Sequence, residues 1–193
     1  ILYGGAGEDR LMGGAGNDRL MGITGNDSTV TDSNDVLVGG SGHDVLIAGS
    51  GNDRLLGQAG NDRAFGDKGN DVLVGGLGRD RLAGQDGNDT LRGGADRDIL
   101  LGGAGNDRVF GDRGNDVIIT GAGRDNIVVR RGQGRDFIRD FQNNLDTIDL
   151  VGIRFSELTI QQWQSNVLVK LGATNLLVLQ NINVNAIERS DFV

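Results

Sequence analysis

Aspartate recurs in this chain with a period of nine. Asp9, Asp18 and Asp27 stand nine apart and Asp35 follows after eight. Asp44, Asp53, Asp62, Asp71, Asp80, Asp89, Asp98, Asp107, Asp116 and Asp125 then keep the nine-residue step without a break. Two residues after each Asp the side chain is usually a large aliphatic: Leu11, Leu20, Leu37, Leu46, Leu55, Leu73, Leu82, Leu91, Leu100, Val109, Ile118 and Ile127. Glycine dominates the first and fourth positions, so the unit reads G-G-x-G-x-D-x-U-x from Gly4 to about Val128, with U the aliphatic. A motif held in phase over that length is a building unit, not a single active site. The stretch GGAGNDRLMG (Gly13 to Gly22) has the glycines of a phosphate-cradling loop, but more glycine follows where such a loop needs a helix.

Composition narrows what such units can build. Of 193 residues 35 are Gly, none is Pro or Cys, and aromatics are 4%. That much glycine raises the entropy lost on folding, and so few large apolar groups limit what burial can offset. Something besides a hydrophobic core must hold the fold. The net charge of −8 argues against nucleic acid as a partner. No apolar run approaches the roughly 20 residues of a membrane span, so no transmembrane segment is expected. The start, ILYGGAGEDR, lacks the basic and apolar regions of a secretory signal peptide. With no cysteine, disulfides are excluded.

In a short strand successive side chains point to opposite faces, so U can point inward while its neighbours face out. Stacked units then give a thin aliphatic core between two facing sheets. Glycine supplies the positive φ that a tight turn needs. The fifth position is most often Asn (Asn17, Asn52, Asn61, Asn70, Asn88, Asn106, Asn115), and Asn is the side chain that best tolerates left-handed backbone. With two units per coil, units n and n+2 lie on the same edge, about 4.7–4.9 Å apart. The expected ladders are Asp9, Asp27, Asp44, Asp62, Asp80, Asp98 and Asp116 on one edge, and Asp18, Asp35, Asp53, Asp71, Asp89, Asp107 and Asp125 on the other. Two carboxylates about 4 Å apart repel by roughly 4 kcal/mol at an effective dielectric near 20. Such ladders oppose folding unless a cation intervenes. Carboxylates and backbone carbonyls make an all-oxygen site, which suits Ca²⁺ better than Mg²⁺ or Zn²⁺. With one His and no Cys, a zinc or copper site has almost no ligands to draw on. The expected metal residues are the fourteen Asp of the period and Asp136, with the first-position glycines Gly4, Gly13, Gly39, Gly57, Gly66, Gly75, Gly84, Gly93, Gly102 and Gly111.

This nonapeptide resembles the RTX (repeats-in-toxin), hemolysin-type calcium-binding repeat, closely from residue 4 to about 139 and more loosely in the tail. The resemblance implies an all-β, right-handed parallel β-roll in which six residues turn, three form a strand, and two repeats complete a coil. It also implies multiple Ca²⁺ ions and a secreted, extracellular bacterial setting. Residues 1–139 are expected to form the roll and 140–193 a C-terminal β cap.

Other motifs are read as structure. His43 is a turn residue rather than a base or ligand, and Ser41, His43 and Asp44 cannot converge as a triad. Arg10, Arg19, Arg54, Arg63, Arg81 and Arg108 follow Asp, and only Arg63 and Arg81 are eighteen apart. They read as a solvated face that offsets Asp charge rather than a polyanion groove. Isolated Thr29 and Thr90 do not form the outward ranks of an ice-binding surface. The ninth position is apolar in most units (Met12, Met21, Ile47, Leu56, Phe65, Leu101, Phe110, Ile119), which reflects β-propensity and contact with the adjacent coil. The unit TDSNDVLV is one residue short and lacks its glycines, Asp96 replaces a fourth-position glycine, and Thr29 and Ala64 underfill the core.

Ile1-Leu2-Tyr3 reads as the strand of a repeat whose loop is missing, and any catalytic domain is expected upstream. GQGRDFIRDF offers one more degenerate loop, Gly132 to Asp136. Asp140, Asp146 and Asp149 suit either a last cation site or turns. NVLVKL (Asn166–Leu171) and NLLVLQNI (Asn175–Ile182) around Gly172-Ala173-Thr174 read as a hairpin. With Phe155, Leu158 and Trp163 it is expected to cover the open end of the roll. The final ERSDFV is similar to the uncleaved signals of type I secretion, and its loss is expected to leave folding nearly intact. The reading is a monomeric, non-catalytic module in which calcium triggers folding outside the cell, with the type I secretion machinery as a partner. The rival readings are a spacer or adhesin module presenting a binding face to a cell surface or polysaccharide, and an enzyme acting on polysaccharide. The enzyme reading lacks any convergent acid, base or nucleophile.

Overall fold

The computed structural model describes residues 1–22 and 33–193. Its strands, in chain order, are β1 (Leu2–Tyr3), β2 (Arg10–Ala15), β3 (Arg19–Met21), β4 (Val36–Ser41), β5 (Val45–Ser50), β6 (Arg54–Ala59) and β7 (Arg63–Lys68). There follow β8 (Val72–Leu77), β9 (Arg81–Asp86), β10 (Thr90–Ala95), β11 (Ile99–Ala104), β12 (Arg108–Arg113), β13 (Val117–Ala122) and β14 (Asn126–Arg130). The last are β15 (Asp136–Ile138), β16 (Thr147–Val151), β17 (Leu158–Trp163), β18 (Asn166–Leu171) and β19 (Thr174–Leu179). They form one sheet ordered β1-β3-β5-β7-β9-β11-β13-β15-β19-β18-β17 and a second ordered β16-β14-β12-β10-β8-β6-β4-β2. Through the repeats every pairing is parallel, and successive strands alternate between the sheets. This is the all-β parallel β-roll with a C-terminal β cap that the period implies.

The U residues fill the space between the sheets. Leu20, Leu37, Leu46, Leu55, Leu73, Leu82, Leu91, Leu100, Val109, Ile118 and Ile127 are fully buried in one continuous cluster. Ala64 occupies a U position and is buried in the same cluster.

Three local expectations are corrected. Strands in the regular coils are six residues long rather than three, because pairing resumes beyond the first-position glycine. Between β6 and β8 the matched residues are Arg54, Leu55 and Leu56, then Gln58 and Ala59, with Gly57 stepped over. Nor do the fifth-position asparagines take left-handed backbone. Among the described residues positive φ falls instead on second positions that lack glycine, such as Gln58 (79°) and Gln85 (80°), and on Asp96 (75°) at a fourth position. Each Asn uses its side chain. Asn52 Oδ1 accepts the Asn70 N–H at 2.7 Å, and Asn70 Oδ1 accepts the Asn88 N–H at 2.7 Å, so the row stitches coil to coil.

The third correction concerns register. β2 pairs with β4, matching Leu11 with Leu37, and β3 pairs with β5, matching Leu20 with Leu46. The step is 26 residues where other coils step 18. Leu37 therefore stands beside Leu11 and fills that layer of the core. Asp27 and Thr29 lie outside the described residues.

Past the repeats, β16 extends the second sheet while β19 pairs parallel to β15 and carries an antiparallel β18 and β17. The expected hairpin is thus β18–β19. Val167, Val169, Leu177 and Leu179 join the core, with Phe155 and Leu158 packed against it. Trp163 does not join them; it lies exposed at the outer end of β17. The terminal segment also departs from expectation. Phe192 is buried in the core and stacks on Phe155 at 5.2 Å. Val193 donates its N–H to Ile148 O at 3.0 Å and accepts from Leu150 N–H at 3.0 Å. The segment is a latch on the edge of β16. Phe192→Ala should therefore cost about 3–5 kcal/mol, the usual range for emptying a buried aromatic site, read as a lower urea midpoint in saturating calcium. An unchanged midpoint would mean that 188–193 contributes nothing to folding.

Candidate metal sites

The carboxylates are joined head to tail along each edge. On one edge Asp9 N–H donates to Asp35 Oδ1 (2.9 Å), Asp35 to Asp53 (2.6 Å), Asp53 to Asp71 (2.7 Å) and Asp71 to Asp89 (2.7 Å). Asp107, Asp125 and Asp146 continue that ladder. On the other edge the ladder runs Asp18, Asp44, Asp62, Asp80, Asp98, Asp116 and Asp136. The ladders are therefore two, as expected, but Asp9 and Asp18 have exchanged edges. The 26-residue step from β2 to β4 and from β3 to β5 accounts for the exchange.

Along the regular coils one oxygen of the carboxylate takes this bond and the other has no partner. The Oδ2 atoms of Asp9, Asp18, Asp44, Asp53, Asp62, Asp71, Asp80, Asp89, Asp98, Asp107, Asp116 and Asp125 are buried without a hydrogen-bond partner. Buried acceptors are ordinarily satisfied, and a row of unsatisfied anionic ones calls for a cation. Asp35 and Asp136 also belong to the ladders, and the Asp136 carboxyl bonds to Asp116.

The first-position glycines define the space beside each free oxygen. A Cβ on Gly57 would sit 2.5 Å from Asp62 Oδ2 and 2.7 Å from Gly75 O of the next coil. A Cβ on Gly13 would sit 2.5 Å from Gly39 O and 2.8 Å from Asp18 Oδ2. Gly4 faces Asp9 Oδ2 and Gly111 faces Asp116 Oδ2 in the same way, both at 2.6 Å. Gly66, Gly75, Gly84, Gly93 and Gly102 repeat the pattern with Asp71, Asp80, Asp89, Asp98 and Asp107. At these positions glycine leaves room, because a Cβ would press on the carboxylate oxygen. Among the described residues no three carboxylate or imidazole side chains gather at one point. A cation between two coils must therefore take carboxylate oxygens together with backbone carbonyls. Such hard, flexible oxygen ligands fit calcium.

Two first positions escaped the sequence reading because they are not glycine. Ala48 and Thr120 stand five residues before Asp53 and Asp125. Thr120 Oγ1 hydrogen-bonds to Asp140 at 3.3 Å, and its hydroxyl also reaches the Asp125 carboxyl. The last turn is thus closed by protein groups. Asp140 takes the Thr120 and Gly121 N–H groups, Asp146 ends the ladder, and Asp149 pairs with Arg108. The turn reading holds for Asp140, and Asp149 is an ion-pair partner. His43 Nδ1 accepts the Asn61 N–H at 2.8 Å, so it is the turn residue expected.

The family model described as "RTX calcium-binding nonapeptide repeat (4 copies)" matches residues 1–28, 29–64, 65–100, 92–127 and 101–138. The chain belongs to this family. It is a calcium-binding β-roll module built of RTX repeats. No curated protein sequence matches the chain significantly. Among solved structures it is similar to the extracellular lipase LipA from Serratia marcescens, at 16% identity and a TM-score of 0.41 over 91% of this chain. The chain spans 40% of the length of that lipase. It is also similar to the AlgE6R3 subunit of the Azotobacter vinelandii mannuronan C5-epimerase, at 23% identity and a TM-score of 0.34, covering 69% of this chain and 77% of that one.

Burial of the RTX ladders raises their carboxylic acids. It pushes Asp53 and Asp89 up to about 6, Asp71, Asp80 and Asp107 to about 7, and Asp98 to about 8, with the charge of nearby Asp adding to it and the backbone N–H partly offsetting it. Asp116 and Asp136, which share a hydrogen bond, are both raised, first by burial. In the ion-free chain a raised acid contributes a stability that is complete below its unfolded value near 3.9 and is lost as pH rises through 6 to 8. Calcium must displace those protons, so its affinity moves the other way. The calcium midpoint for folding should rise as pH falls from 8 to 6, by about tenfold per unit for each proton displaced. Meanwhile the chelated chain should gain β structure toward pH 5. Circular dichroism at fixed pH values checks both signs.

Proposed function

We propose that this chain is a module whose folding is switched on by calcium outside the cell, serving the export and stability of a bacterial protein of which it is a part. The observation that carries the reading is the row of buried, unpartnered Asp Oδ2 atoms over a core one aliphatic residue thick. At low calcium the Asp ladders repel and the glycine-rich chain stays extended, fit for passage through a channel. Bound calcium supplies the positive charge that the ladders lack. Asp62 Oδ2 and Gly75 O, and their counterparts in each coil, are the groups that would hold it. Extracellular modules of this chemistry bind at about 10⁻⁴–10⁻³ M, so millimolar calcium suffices and folding follows binding.

In this reading residues 1–139 are the calcium-binding roll, and 140–193 form the cap and carry a type I secretion signal in ERSDFV. The roll works as a monomer, and catalysis belongs to other parts of the protein. The burial of Phe192 supports an order of events. The signal is accessible in the extended chain and is covered once the latch closes. Titration with calcium, followed by circular dichroism, should give a cooperative gain of β signal that chelation reverses. Gly57→Ala, which fills one cradle, should lower the number of bound ions measured calorimetrically. A fully folded roll in excess chelator would overturn the proposal.

A further inference from the structure

Four arginines meet where the sequence showed only two. Arg63 and Arg81 are matched neighbours on β7 and β9. The fold sets Arg79 and Arg97, from the turns before Asp80 and Asp98, beside them around a cleft of about 500 Å³. All four are exposed. Among the described residues none of them forms an ion pair with a carboxylate or lies over an aromatic ring. Asp62 and Asp80 at the back of the cleft are buried in their ladder. Asp96 stands nearby and acts electrostatically on Asp80 and Asp98, yet it pairs with none of the four.

Two of these arginines interrupt a structural row. On this edge Asn17 Oδ1 accepts from His43, His43 from Asn61, and Asn61 from Arg79. Arg has no acceptor, so the N–H groups of Arg97 and Asn115 go without the side-chain partner that the row supplies elsewhere. Asn115 restores the bond, to Arg135. The opposite edge keeps Asn from Asn34 to Asn106 without such a gap. Arginine at 79 and 97 thus weakens the stitching while adding unpaired cationic charge to one cleft.

We propose that this cleft binds an acidic polysaccharide carrying one oxyanion on each sugar ring, a function beyond calcium-driven folding that requires only the folded roll. Guanidinium forks match carboxylate and sulfate groups in geometry. The arginine rows advance by one coil, about 4.8 Å, close to the length of one sugar ring. An extended acidic peptide presents same-face carboxylates about 6.7 Å apart, and a duplex strand advances only about 3.4 Å along its axis per phosphate while turning away around the helix. Neither keeps step with the rows. The cleft also lacks the aromatic platforms on which single-stranded bases stack.

The test is fluorescence anisotropy in saturating calcium with labelled oligogalacturonate too short to gel, labelled dextran sulfate oligomers and labelled poly-L-glutamate. One or both sugar polymers should bind more tightly than polyglutamate, and the comparison between them identifies carboxylate or sulfate as the preferred anion. The double variant Arg79→Asn/Arg97→Asn should bind at least tenfold more weakly. It should nonetheless fold at a lower calcium concentration, because the Asn row is restored. Arg124→Asn, on the opposite edge, should bind like the parent. Binding of neither sugar polymer, equal binding by the double variant, or equally tight binding of polyglutamate would overturn the proposal.

Discussion

Each coil of this roll is joined to the next by a carboxylate that spends only one of its oxygens. Asp62 N–H reaches Asp80 Oδ1 at 2.8 Å, Asp80 N–H reaches Asp98 Oδ1 at 2.8 Å, and the second oxygen of each stays buried and unpaired. The arrangement is self-consistent in hydrogen bonds and inconsistent in charge. One Asp per coil on each edge gives regular translational order, and the same order stacks negative groups in a dry turn. Burial raises their acids toward neutrality, and protonation or a cation can resolve the conflict. The glycine facing most of the free oxygens leaves room for the cation.

The core sets how much that charge matters. One aliphatic side chain per unit is buried, so apolar area grows slowly with coil number while glycine keeps the entropy of the extended chain high. A thicker core could tolerate the ladders unaided. In the proposed reading the electrostatic term decides whether the roll exists, and a folding switch needs that balance.

Much of this was legible in sequence because the determinants repeat. The nine-residue Asp period, the aliphatic two places on and the first-position glycine each translate into one stacked row. What escaped depended on rows rather than units. Asn52 has no left-handed backbone to accommodate; its value lies in reaching the N–H of Asn70 eighteen residues away, which no single unit reveals. The parity change follows from the pairing of Leu11 with Leu37 across 26 residues, a relation between coils that no single unit reveals. Arg79 and Arg97 join Arg63 and Arg81 only when turn and strand rows are superposed. Phe192 sits in a segment whose resemblance to an export signal pointed away from packing, and its burial is a property of the finished cap.

The two ends of the roll are not equivalent. At the N-terminal end β1 and β2 are the outermost strands, with Leu2, Tyr3 and Met12 exposed. At the other end the demand for ions stops. The free Oδ2 atoms run to Asp116 and Asp125 and no further, because Asp146 accepts N–H from Asp125 with one oxygen and from Gln142, at 2.7 Å, with the other. Asp140 likewise takes two backbone N–H groups. In the cap the carboxylates of Asp140 and Asp146 are thus satisfied by protein alone, and β18 and β19 bury several aliphatics each, among them Val167, Val169, Leu177 and Leu179. A coil added to that surface finds its strand partner and its ladder acceptor already in place, and it needs an ion only for the oxygen left over. A coil formed first at the N-terminal end would have neither. Growth from the cap toward the N-terminus is the direction in which each new carboxylate meets a prepared neighbour before its charge has to be neutralised.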